Sequence, residues 1–159
     1  MKISILCVGK VKEKFYRDAI EEFTKRLSRY CKLDIIEVVD EKTDEQATET
    51  EIRLIKEKEG NRLLKNIKDD AYVIALCIDG KQLDSEELSQ KMEKLGVLGT
   101  SHICFIIGGS LGLSDEVIKR ADYKLSFSKM TFPHQLMRVI LLEQIYRCYR
   151  IMNHEPYHK

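Results

Sequence analysis

The sequence predicts an α/β fold: a mostly parallel sheet with helices on both faces. Segments of strand and helix character alternate along all 159 residues. The runs 72–78 and 102–107 are apolar without polar alternation, as strands covered on both faces are. No repeat, low-complexity tract or linker interrupts the pattern, and the two prolines, Pro133 and Pro156, mark no boundary. One domain over residues 1–159 is therefore expected, long enough to bury a core without disulfides or metals.

The elements follow in order. Residues 3–8 read as a buried strand ending at Gly9. Residues 13–30 form an amphipathic helix, with Phe15, Ala19, Ile20, Phe23, Leu27 and Tyr30 on one stripe. A second strand spans 33–39, and the acidic, threonine-containing stretch 40–50 is expected to be a mobile loop before a charged helix over 50–67. After the strand at 72–78, Asp79-Gly80-Lys81 is expected to turn the chain. Asp84 and Glu87 have capping-box spacing for a helix over 85–95, with Gly96 as its stop. Strand 102–107 comes next, then a short helix capped by Ser114 and running to Ala121, then strand 123–127. The last helix covers 134–152, with Pro133 at its start, where a missing N–H costs nothing.

That helix has almost no polar face: Leu136, Met137, Val139, Ile140, Leu141, Leu142, Ile145, Cys148 and Ile151 surround it. A helix apolar around its circumference must be covered on several sides. The expectation is a homodimer built through it.

Net charge is only +1, which argues against gripping nucleic acid by bulk electrostatics. The distribution is uneven, however. From Val117 onward eight Lys/Arg face three acids, leaving nineteen bases and twenty-three acids before it. An anionic partner would bind the C-terminal third. Five widely spaced cysteines without a CxxC pair suit a reduced, cytoplasmic setting. The opening apolar run is too short for a signal-peptide core, and no stretch approaches a membrane span, so a soluble protein with no membrane partner is expected.

Two loops carry the chemistry. Strand 102–107 ends in Gly108-Gly109-Ser110-Leu111-Gly112-Leu113, and strand 123–127 runs into Ser128-Lys129-Met130-Thr131-Phe132-Pro133-His134. Neighbouring loops at the carboxyl ends of strands are where open α/β sheets place ligands. The first lacks the lysine and spacing of a phosphate cradle, so a neutral or cationic small molecule fits better than a dinucleotide. Taken alone it also fits a plain tight turn. The second is apolar yet rich in hydroxyls, and it is expected to be buried, with backbone groups that need partners. His134 and Arg138 sit one turn apart at a helix start, a setting that suits an anion. His154 and His158 have i,i+4 spacing, but Pro156 between them breaks the helix and no third ligand is evident, so no metal is expected. The segment Pro156-Tyr157-His158-Lys159 has the composition to stack on a base and touch phosphate.

Together, Val8-Gly9-Lys10, the Ile106–Leu113 loop, the Leu125–His134 loop and Tyr157-His158-Lys159 closely resemble the bacterial large-subunit rRNA pseudouridine N3-methyltransferases of the SPOUT superfamily. The resemblance covers the whole chain. It implies a C-terminal deep trefoil knot and a homodimer that binds S-adenosyl-L-methionine in the knot loops. The matching binding positions are Leu76, Gly108, Phe127, Ser128, Lys129, Met130, Thr131 and Phe132. The implied reaction methylates N3 of a pseudouridine in the intersubunit stem-loop of 23S rRNA, on assembled ribosomes. Methyl transfer from a sulfonium needs no metal, because alignment can supply much of the rate. The acceptor N3–H must lose its proton, which a base or an anion-stabilising cation would assist. The candidates are His134, Arg138, Tyr157, His158 and Lys159. Among them Arg138 is expected to meet phosphate or developing charge, and Tyr157 and His158 to hold the target nucleotide. The competing readings are a non-catalytic nucleoside sensor and a tRNA methyltransferase.

Overall fold

A computed structural model describes residues 1–159. The elements are β1 (Lys2–Val8), α1 (Lys14–Leu27), β2 (Lys32–Val38), α2 (Glu49–Leu64), β3 (Tyr72–Gln82), α3 (Ser85–Val97), β4 (His102–Ile107), α4 (Asp115–Arg120), β5 (Tyr123–Ser126) and α5 (His134–Met152). The five strands are all parallel, in the order β2-β1-β4-β3-β5.

Strand alternation sorts the core into two layers. Ile3, Ile5 and Cys7 of β1 and Ile103, Phe105 and Ile107 of β4 face α1, α3 and α5. Leu6, Val8, Cys104 and Ile106 face α2 and α4, meeting Leu63 and Val117. This is the expected α/β architecture, and it explains why the central strands are apolar on both sides. Edge strand β2 is more open, with Lys32, Asp34 and Glu37 exposed.

Local chemistry fixes the helix starts. Thr48 accepts a hydrogen bond from the Glu51 amide, Ser114 accepts one from the Val117 amide, and Asp84 with Glu87 forms the complete capping box.

The structure corrects two expectations and shows how one loop is anchored. Asp79-Gly80-Lys81 does not end β3; the strand continues to Gln82, and its pairing with β5 shifts register between Leu76 and Lys81. Gly80 permits this, since a Cβ there would lie 2.8 Å from the Lys124 carbonyl. Gly96 does not stop α3, which runs on to Val97; the left-handed residue is Gly99, at φ +97°. The start of segment 40–50 is pinned, with Arg62 donating to the Val39 carbonyl (2.8 Å) and to the Glu41 carboxylate (2.7 Å).

Helix α5 lies over β4 between α1 and α3, and Leu141, Leu142, Ile145 and Cys148 are fully buried. On its other faces Leu136, Met137, Val139, Ile140 and Ile151 are only half-buried, so its apolar circumference is not fully covered within one chain.

Candidate active site

The carboxyl ends of β3, β4 and β5 open into one cavity of about 580 Å³. Its wall is built from four pieces. The β3 irregularity contributes Leu76, Cys77, Ile78 and Asp79; the β4 loop contributes residues 107–113. The end of β5 and its loop supply Lys124–Ser128 and Met130–Phe132, and α5 supplies His134 and Met137. Lys56 of α2 and Asp115 and Ile118 of α4 close one rim.

The glycine turn is shaped by sterics. A Cβ on Gly108 would lie 2.9 Å from the Gly112 carbonyl carbon and 3.0 Å from Leu113, so no side chain fits there. Gly112 holds φ +88°, and its amide donates to the Gly109 carbonyl at 3.1 Å. The second loop folds on Ser128, whose hydroxyl accepts the Met130 amide (2.9 Å) and whose carbonyl accepts the Ser126 hydroxyl (3.1 Å). The loop is less buried than expected: Phe127 and Phe132 are half-buried while Lys129, Met130 and Thr131 are exposed.

Of the residues singled out from sequence for the methyl donor, Leu76, Gly108, Phe127, Ser128, Met130, Thr131 and Phe132 line this cavity. Lys129 is not among the lining residues and is exposed. Of the residues considered for the reaction, only His134 lines it. Its Nδ1 is buried without a hydrogen-bond partner. Burial, reinforced by the nearby Arg138 charge and opposed by Asp40, holds the imidazole below its ordinary pKa.

Arg138 lies elsewhere than expected. It is 2% exposed, its guanidinium paired with Glu37 and donating to the Gly9 carbonyl at 2.7 Å and the Val8 carbonyl at 3.4 Å. A charge so enclosed needs these partners, because an unpaired buried cation is costly. It braces the start of α5 against the ends of β1 and β2 and is not presented to a phosphate.

Tyr157 and His158 lie toward the far end of α5. The Tyr157 ring packs edge-on against Tyr146 at 5.0 Å, with Arg147 over its face at 4.6 Å. His158 Nδ1 lies 3.2 Å from Arg147. Arg147 lies thirteen positions beyond His134 on the same helix, about 20 Å at the α-helical rise. The tail therefore does not reach its own chain's cavity in this arrangement.

Comparison with known proteins decides the family. The family model described as "Predicted SPOUT methyltransferase" matches residues 1–158. The chain belongs to the SPOUT methyltransferases. This SPOUT methyltransferase is 67% identical to the ribosomal RNA large subunit methyltransferase H of Bifidobacterium adolescentis, across all of both chains. It is 65% identical, again over the full length of both, to the protein of that name from Clostridioides difficile. A solved structure of a probable methylase family protein from Haemophilus influenzae Rd KW20 shares the fold at TM-score 0.55 and 12% identity, covering 99% of this chain and 70% of that one.

Sequence reasoning missed Cys77, Ile78, Asp79, Lys56 and Asp115 as cavity residues. Gly80 was the available signal for the first three, since it marks the place where β3 bulges. Nothing in the pattern of α2 ties Lys56 to a loop fifty residues on.

Proposed function

We propose that this SPOUT methyltransferase transfers a methyl group from S-adenosylmethionine to N3 of a pseudouridine in the intersubunit stem-loop of 23S rRNA, acting on assembled ribosomes. The observation that carries the reading is the cavity at the ends of β3, β4 and β5, walled by the two loops on which the resemblance rests. The names of the full-length relatives point to large-subunit rRNA as substrate.

The residues present fit the methyl donor. The cavity has the size of a small-molecule site, and half of its 24 lining residues are hydrophobic. The glycine turn exposes backbone for close approach, and the lining carries both signs of charge, Asp79 and Asp115 with Lys56 and Lys124, as a ligand with a sulfonium and a carboxylate requires. When bound, S-adenosylmethionine supplies an electrophilic methyl group for in-line displacement. The protein's share is to align the reactants and to take the acceptor's proton. His134 is best placed to receive that proton. It lines the cavity, and its depressed pKa keeps the imidazole unprotonated near pH 7 and so able to accept a proton. Arg138 holds the helix start that carries it.

The tail supports a homodimer. Tyr157 and His158 sit about 20 Å along α5 from the cavity, so their proposed role with the target nucleotide requires the cavity of a second copy. In this reading residues 1–159 form one domain, the C-terminal segment threads the trefoil knot of the family, and the enzyme works in the cytoplasm.

Mass spectrometry of rRNA and tRNA from a strain lacking this chain is the direct test. The expected outcome is loss of one methyl group from a 23S rRNA pseudouridine, with tRNA unchanged. An intact rRNA spectrum with a missing tRNA methyl group would overturn the substrate assignment in favour of a tRNA enzyme.

A further inference from the structure

We infer that Glu59 is a positioning residue for the methyl-donor site, its buried carboxylate seating the 108–112 turn and tying it to the segment that leaves β2. The inference rests on the cavity being the S-adenosylmethionine site.

Glu59 belongs to α2 and is only 5% exposed, rare for a carboxylate with no cation bonded to it. Its Oε2 accepts the Glu41 amide at 3.0 Å. Its other oxygen faces the glycine turn: a Cβ on Gly109 would stand 3.1 Å from Oε1 and 3.5 Å from Oε2. The next residue along α2 does the same at the other end of the loop. Gly60 packs so closely on Ser114 that a Cβ would meet the hydroxyl oxygen at 2.2 Å. Two consecutive α2 residues therefore hold both ends of the loop that forms one cavity wall. Glu59 does not itself line the cavity. Any influence on the donor passes through Gly109.

An apolar residue would fill the same space, so the charge calls for a reason. A carboxylate makes a charge-assisted bond to the Glu41 amide, stronger than a neutral acceptor would. Glu41 is itself held by Arg62 and Lys58, which links Glu59 to the ordered exit of β2. The groups facing Glu59 are Arg62 on its own helix and Asp40 and Glu41 from the β2 exit; Val8 of β1 and Gly109 bring no charge. Burial raises its pKa, with Asp40 and the Glu41 carboxylate adding to the rise and the Glu41 amide and Arg62 opposing it. Protonation removes the charge that holds the amide. Donor affinity is thus full above the raised pKa and falls as pH drops through it.

The test is calorimetric titration of the full chain with S-adenosylmethionine across a pH series, comparing wild type with Glu59→Gln. The isosteric amide should weaken binding about tenfold at neutral pH, as loss of a charge-assisted hydrogen bond would. It should also abolish the Glu59 limb on the acid side while leaving kcat at saturating donor unchanged. Gly109→Ala, which pushes a methyl group onto the carboxylate, should raise KM for the donor in the same way. Unaltered affinity and pH profile in Glu59→Gln would overturn the inference, as would a loss confined to thermal stability. If wild type itself fails to bind S-adenosylmethionine, the assignment of the cavity falls and this inference with it. Binding by wild type that Glu59→Gln leaves untouched removes the inference alone.

Discussion

Gly108 shows how a single absent carbon shapes the site. Its missing Cβ leaves room for Gly112 to fold back, and that fold creates the wall at the end of β4. Gly108→Trp should therefore abolish S-adenosylmethionine binding in a calorimetric titration while the sheet, already complete at Ile107, stays folded by circular dichroism. Unchanged affinity would place the donor elsewhere. Arg138 teaches the opposite lesson. In sequence its spacing from His134 suggests a shared anion site; in space its guanidinium faces inward onto Glu37 and two carbonyls. Spacing of four residues puts two side chains on one helix face, but it does not say whether that face meets ligand or sheet.

At the scale of elements, strands and helices were legible because their signals are local. The last helix and β4 begin and end where periodicity placed them, and all three side-chain caps occupy positions where a Ser, Thr or Asp precedes a helix. Legibility failed where a long-range contact overrides the local signal. Asp79-Gly80-Lys81 has turn composition, yet pairing with β5 keeps the chain extended through it. Ser114 is a cap that also serves the site: it is 3% exposed, accepts the Val117 amide at 3.3 Å and abuts Gly60. Ser114→Ala should lower unfolding free energy by about 1 kcal/mol, the usual worth of such a cap, measured by urea denaturation. No change would mean that packing alone holds α4.

Across the whole molecule, the cavity was half legible in sequence. Two glycine- and hydroxyl-rich loops near the C-terminus announced it, whereas the contributions of α2, α4 and the β3 bulge depend on strand order, which no local pattern encodes. The position of the tail is likewise a property of the assembled fold. Removing residues Tyr157, His158 and Lys159 should leave S-adenosylmethionine affinity intact and abolish methylation of ribosomes, since none of these residues lines the donor cavity. Mixing this truncated chain with one carrying Gly108→Trp tests the dimer. Activity restored in the mixture supports a tail that works across two copies, and its absence contradicts that arrangement.

One continuous rod, α5, starts at the cavity and ends beneath the tyrosine tail. It therefore acts as a ruler for both distance and angle. A single inserted residue within it would advance everything beyond by about 1.5 Å and swing it by about 100° around the axis. With the tail in its proposed role, this helix is bound to its count, because its two ends must stay in phase.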